Sequence, residues 1–367
     1  MPTGLQDKTR ILWLDSAKGW AMIMVILGHA SSPVTPLFYV FHVPLFFFLS
    51  GYLFNEQRYG NLRAVFADKA KILLLPYCIL GLFDTLLYLP CRAPYTAANW
   101  QDALLPFVGL LAGIRNTWWM AQIGPFWFLA CLLVTEILFC LLLQWTRSGV
   151  PRIAVLSLLA AAGFLYGHME APLLPWSIDV APIALIFFYA GNAARSRLAG
   201  LLQSSWLPIL ACAGFLVGTY NGYRLTHTTY GADMYVDAYG NPALFLIGAF
   251  SGIYGLLYVV SRAPTFWPVN LIGRYSVAYL CLHQFPVFYL LDVTYHHFLP
   301  DALKGQLTDT KLKFEIYRTV ISTTDLVVSF VVIAVATELL LRYFPLALGI
   351  RKSSAMAAGK PPGAARA

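Results

Sequence analysis

Apolar runs about as long as a bilayer is thick recur from residue 12 to residue 341, separated mostly by short polar connections. A helix needs roughly 20 apolar residues to cross the hydrocarbon core. Windows of this kind fall near residues 12–30, 37–54, 72–89, 125–144, 153–168, 178–193, 206–220, 243–260, 271–291 and 319–341. They predict an all-α fold, a polytopic integral membrane bundle of about ten transmembrane helices, because only helices satisfy their own backbone in lipid. Residues 1–352 read as one membrane domain, and 353–367, rich in Ala, Gly, Pro and Lys/Arg, as a disordered cytoplasmic tail. The long connections, near 90–124, 221–242 and 292–318, hold two aromatic clusters, Trp100, Trp118 and Trp119, then Tyr220, Tyr223, Tyr230, Tyr235 and Tyr239. Such rings suit a headgroup boundary, and they also stack on sugars.

Composition removes the soluble alternatives. Of the 367 residues 59% are hydrophobic and only 11% charged, against about 25% charged in an ordinary soluble domain. The net charge of +8 does not form a continuous basic patch, which argues against a nucleic-acid partner. It sorts by topology instead. With the N-terminus inside, Arg92, Arg115, Arg224, Lys304, Lys311, Lys313 and Arg318 lie outside and the remaining Lys and Arg inside, so both termini are expected in the cytoplasm. The first apolar stretch contains Asp15 and Lys18 and lacks a small-residue cleavage site, so it is expected to remain in the mature protein. The six cysteines are scattered singly. Five fall in apolar segments and read as small buried hydrophobes, with Cys91 in a loop, so neither a disulfide framework nor a metal site is expected.

Ionisable groups inside spans are costly and ask for a partner or a function. The first span carries Asp15, Lys18 and His29. Eleven steps separate Lys18 from His29, about three turns and a rise of ~16 Å, so both lie on one helix face, with Asp15 within about 40° of it. That stripe reads as a lined cavity with a cation near the cytoplasmic mouth and an imidazole deeper in. The plainer alternative is an interfacial Asp15–Lys18 pair with His29 at the helix end. His42 opens the second span across a tight turn, and two buried imidazoles beside one break suggest a site. Further along, Ser276 and His283 lie seven steps apart on one face. Trp127 opens a helix, where it is either an interfacial anchor or a stacking platform.

Together these residues resemble the membrane acyltransferase 3 family. The resemblance rests on Asp15-x-x-Lys18 followed by His29, and on Phe41-His42-x-Pro44-Leu45-Phe46-Phe47-x-x-Ser50-Gly51-Tyr52. Later landmarks follow in the family's order: Lys69-x-Lys71 before Leu75-Pro76-Tyr77, Gly124-Pro125-Phe126-Trp127-Phe128-Leu129, Gly191-Asn192, and Ile272-Gly273-x-x-Ser276 with Tyr279 and His283. Lys18 stands where the family commonly has Arg, which keeps the charge and loses bidentate phosphate binding. The Lys69-x-Lys71 pair also differs from the arginine pair of many members.

The resemblance implies a stand-alone O-acetyltransferase of the exopolysaccharide or lipid-linked-sugar type, multi-pass in the bacterial inner membrane. Acetyl-CoA would be the cytoplasmic acyl donor, with no resident cofactor. A glycan or lipid-linked oligosaccharide would be the acceptor, and polysaccharide assembly proteins are candidate partners. His29 is then expected to be the general base, with transfer either direct or through an acetyl-imidazole. Asp15 and His42 complete the catalytic set, Lys18, Lys69 and Lys71 hold the donor, and Ser50, Trp127, Ser276 and His283 line the cavity. The rival reading is a secondary transporter or flippase in which Asp15, His29, His42 and His283 relay protons.

Overall fold

A computed structural model describes residues 12–350 except 31, 57–61, 93–99, 147–148, 227, 229–230, 299–304, 306–307 and 309. The expected cytoplasmic cations Lys8, Arg10, Arg58, Arg147, Arg351, Lys352, Lys360 and Arg366, the expected external Lys304, Tyr230 and the tail 353–367 lie outside the described residues, as do the side chains of Cys91, Arg92, Trp100, Trp118 and Trp119.

Among the described residues the chain is helical, with no strand. Its α-helices are α1 (Leu12–His29), α2 (Thr35–Tyr39), α3 (His42–Leu53), α4 (Leu62–Lys69), α5 (Leu75–Arg92), α6 (Trp100–Ala112), α7 (Trp127–Trp145) and α8 (Gly149–His168). They continue with α9 (Ala181–Ala194), α10 (Leu198–Leu202), α11 (Leu207–Leu225), α12 (Pro242–Val260), α13 (Trp267–Arg274), α14 (Ser276–Leu282), α15 (Tyr289–Phe298) and α16 (Lys311–Tyr343).

Among the described residues seven helical stretches are long and apolar enough to cross a membrane: Thr35–Leu53, Val65–Pro90, Met120–Trp145, Gly149–His168, Pro175–Ala194, Pro242–Val260 and Lys311–Tyr343. The other three segments that the sequence marks are helical but fall short, each for a visible reason. Helix α1 gives up hydropathy to Asp15, Lys18 and His29, and α11 gives it up to Asn221 and Arg224. The segment expected at 271–291 is not one helix. It breaks at Tyr275 and again in a π-helical turn over His283–Phe288, where Pro286 has no N–H to give.

Two close helix crossings frame the site. A Cβ on Gly51 of α3 would lie 1.9 Å from the Phe188 carbonyl oxygen of α9, and one on Gly191 of α9 would lie 1.9 Å from that of Phe48. Likewise a Cβ on Gly273 would lie 1.8 Å from the Asp15 carbonyl oxygen, so α13 rests directly on the backbone of α1. Small residues that let backbones touch are how helices associate where lipid removes the hydrophobic drive. Around these crossings Phe47, Phe54, Phe126, Phe139, Phe187, Phe188 and Phe245 fill the interior with fully buried rings. The outer faces of α8 and α16 are apolar and exposed, as with Leu158 and Val331, which is the surface a bilayer covers. Cys131, Cys140 and Cys281 are buried as expected. Cys78 and Cys212 are not; they sit on the outward faces of α5 and α11 beside exposed Ile79 and Ile209, where lipid accepts a thiol as readily as a core does.

The loop between α11 and α12 is pinned from both ends. Asn241 caps α12 by accepting from the Ala243 and Leu244 amides, and its own N–H donates to Asn221 Oδ1 at 2.7 Å. Asn221 Nδ2 in turn donates to the Tyr239 carbonyl. An isolated antiparallel bridge between Asp233 and Ala238 shapes the middle of the loop.

Candidate functional site

The turn between α1 and α3 points both histidines of the sequence motif inward. His29 ends α1 and His42 opens α3, and the rings line the same two cavities. The first cavity, about 300 Å³, runs down past Lys18, Met22, Ser50, Lys69, Glu136 and Ser276. The second, about 330 Å³, opens the other way, past Tyr39, Ala121, Gly124, Asp233, Tyr235 and Gln284. His29, His42, Val43 and Trp127 belong to both and form the waist between them.

Hydrogen bonding fixes the chemistry of two imidazoles. His42 Nδ1 lies 2.6 Å from the Phe38 carbonyl oxygen. A carbonyl only accepts, so Nδ1 carries the proton and Nε2 keeps its lone pair. His283 Nδ1 is held in the same way by the carbonyls of Tyr279 and Leu280, at 2.8 and 3.0 Å. Its Nε2 is buried without a hydrogen-bond partner, and its ring centroid is 5.1 Å from that of His29. His29 itself is exposed, and the space it faces is that of the two cavities.

At the lower end of the first cavity Lys69 Nζ meets Glu136 Oε1 at 2.6 Å and sits 5.6 Å from the centre of the Phe54 ring. The cation expected to meet a donor phosphate is therefore already paired. Lys18 lines the cavity with His29, as their spacing requires. Asp15 and Lys71 do not line either cavity. The Asp15 carbonyl lies at the crossing of α1 with α13, and Lys71 is exposed in the π-helical turn that precedes α5.

Trp127 is 6% exposed, which fits a wall of the waist and not an interfacial anchor. Its ring has the Arg115 guanidinium 5.8 Å away and the Tyr235 ring at 6.0 Å. Arg115 is the hub of a buried network: it donates to Asp179 Oδ1 at 2.7 Å, to Asp237 Oδ2 at 3.1 Å and to the Tyr235 carbonyl at 2.8 Å. Asp179 also accepts from the Leu174 amide, and Tyr239 Oη donates to Asp237 Oδ1. Burial works against the Arg115 charge, yet Asp179 and Asp237 together hold its pKa above the ordinary arginine value. Burial pushes the Asp233 carboxyl up to about 6, opposed by the Tyr235 amide it accepts and by Arg115. Tyr235 and Tyr239 thus belong to this network, whereas Tyr220 and Tyr223 are exposed as boundary aromatics should be.

Sequence reasoning missed Arg115, which it placed only as an external charge, and gave no role to Glu136 and Asp179. Each is a lone charge in or beside an apolar stretch, and its partner lies 64 to 122 residues away or, for Glu136, 67 residues away. Such a pairing leaves no local pattern to read.

A family model described as an acyltransferase domain matches residues 11–343 of the chain. No curated protein and no solved structure matches it significantly.

Proposed function

The chain belongs to the acyltransferase 3 family, and from that premise we propose that it is a bacterial inner-membrane O-acetyltransferase. It takes the acetyl group of cytoplasmic acetyl-CoA and delivers it to a sugar hydroxyl of a surface polysaccharide or its lipid-linked precursor. The observation that carries this reading is the waist at which His29 and His42 face two cavities at once. On this reading the chain crosses the membrane about ten times with both termini inside. The Lys18 and Lys69 side admits the donor, and the Asp233 and Tyr235 side admits the acceptor.

His29 is the general base. Its free nitrogen takes the proton of the acceptor hydroxyl as that oxygen attacks the thioester carbonyl, and the C–S bond breaks with the sulfur taking the proton back. His283 is a positioning residue. With its own Nδ1–H committed to two carbonyls, its Nε2 can only accept, so a small rotation of the His29 ring lets one His29 N–H turn toward it. The other His29 nitrogen is then the lone pair presented to the cavity. Trp127 supplies the acceptor's stacking face, and His42 Nε2 and Ser50 orient substrate. Because both cavities open on the same imidazole, a stepwise route through an acetyl-imidazole uses the same geometry.

The test measures base-labile O-acetate on surface polysaccharide from cells lacking the gene, complemented with wild type or with His29→Ala at matched membrane levels. Loss of acetate with the gene, rescue by wild type and a drop of about 10²–10⁴-fold in the variant are expected for removal of a general base. Full rescue by the variant would take His29 out of the chemistry. Unchanged acetate in the deletion strain would sink the polysaccharide acceptor. Movement of labelled sugar without any donor would point to transport through the same two cavities.

A further inference from the structure

Among the described residues Glu136 is the one carboxylate lining the first cavity, and only half of it is used. Its Oε1 holds Lys69 at 2.6 Å, while Oε2 is buried and has no hydrogen-bond partner. The residue is 1% exposed. A charged oxygen in that position without a donor is expensive, and a ligand that brings an N–H or O–H to it recovers the cost. The rest of the wall near it is Leu53, Ile72, Leu73, Leu129 and Leu132, which suits a slender, mostly apolar chain carrying a few donors.

Depth identifies which donor. Glu136 follows Trp127 on α7 by nine residues, so it lies ~13 Å from the waist along the helix axis. In an extended pantetheine arm the two amide nitrogens lie about 4 and 9 Å from sulfur by ordinary bond lengths, and the reacting carbonyl adds about 2 Å more. With the carbonyl within reach of His29, the amide farther from sulfur arrives at the level of Glu136.

We infer that Glu136 Oε2 accepts the N–H of the amide farther from the thioester, so that the Lys69–Glu136 pair is a recognition point for the donor's arm and not its phosphates. This rests on the acyl-CoA donor proposed above. Lys69 fixes Glu136 in place through Oε1, which makes the pair a rigid recognition point in the cavity wall.

The experiment uses the full chain in nanodiscs and a non-transferable acetyl-CoA analogue whose thioester sulfur is replaced by methylene. Its dissociation constant is compared with those of two versions in which one amide N–H or the other is replaced by ester oxygen. Loss of a hydrogen bond to a charged acceptor weakens binding by about tenfold or more. That loss is expected for the farther amide, with the nearer one within about twofold of the parent. The double variant Glu136→Leu with Lys69→Met leaves no unpaired charge, and in it the parent and the farther-amide ester should bind alike. Equal binding of both esters and the parent to wild type overturns the inference while leaving the donor reading intact. No binding of the parent analogue to wild type overturns the donor reading and the inference with it. The wild-type comparison decides even if the double variant does not fold.

Discussion

His283 donates to two backbone carbonyls and keeps its other nitrogen bare beside His29. If that nitrogen orients the catalytic ring, His283→Gln should lower kcat by about ten- to a hundredfold with KM for either substrate little changed, because misplacing a base costs rate and not binding. His283→Gln should also move the acidic limb of the kcat pH profile, whereas a purely structural role would lower the yield of folded protein and leave the profile of the remainder alone. Asp233 supplies a second prediction at this scale. Its folded pKa, pushed by burial to about 6 from an ordinary 3.8, means that the folded chain binds the proton more tightly. Its contribution to stability is therefore full below pH 4 and falls as pH rises through 6. Asp233→Asn keeps an oxygen for the Tyr235 amide and removes the charge. It should raise the unfolding free energy at pH 7 by an amount of order 1 kcal/mol, with a higher thermal midpoint, and flatten the slope between pH 4 and 6, read by tryptophan fluorescence in detergent. A lower midpoint at pH 7 would show that the ionised form is needed.

Between elements, Arg115 ties three segments that are far apart in sequence: the turn after α6, the start of α9 through Asp179, and the loop before α12 through Asp237. Removing one partner of a buried ion pair strands the others, at a cost of about 3–5 kcal/mol. Arg115→Met should therefore cost that much in unfolding free energy and collapse the second cavity first, seen as faster protease cleavage within 231–241 than elsewhere. A milder Asp237→Asn should cost less, since Asp179 still faces the guanidinium. The same elements show what the sequence could and could not tell. Lys18 and His29 were legible as one lined face because eleven helical steps fix their relation without any knowledge of the partner helices. His42 was legible because it adjoins the same break. Arg115, Glu136 and His283's role were not, since each depends on which helix lies opposite, and apolar runs do not specify their neighbours. The break at 283–288 was hidden for a related reason. Hydropathy stays high through Phe285-Pro286-Val287-Phe288, while the backbone there is no longer α-helical.

For the molecule as a whole, the proposed function puts the two substrates in the two cavities, on opposite sides of the waist. In proteoliposomes of defined orientation, acetyl transfer to an acceptor on the Tyr235 side should require acetyl-CoA on the Lys69 side, and donor supplied only on the acceptor side should give less than about a tenth of the rate. Equal rates from both sides would mean that the substrates enter by one mouth. Among the described residues seven helical stretches suffice by length and apolarity to cross a bilayer, while the broken or polar segments outside that set, α1 and the run from α13 to α15, carry His29, Ser276 and His283. The site is built from the segments least comfortable in lipid, which is where polar side chains can be afforded only by facing a cavity.

The waist has an electrical consequence. On the proposed reading, in which each substrate enters its own cavity from its own side, solvent that follows it makes most of the membrane voltage fall across the short stretch occupied by His29, His42, Val43 and Trp127, and not across the full thickness of the bilayer. A proton shuttled by an imidazole at that point moves within a concentrated field, where one elementary charge crossing 100 mV is worth about 2.3 kcal/mol. On the proposed acetylase reading, the Trp127 ring and the Val43 side chain then act as insulation, and the rate of transfer becomes a quantity that the energised state of the cell can tune.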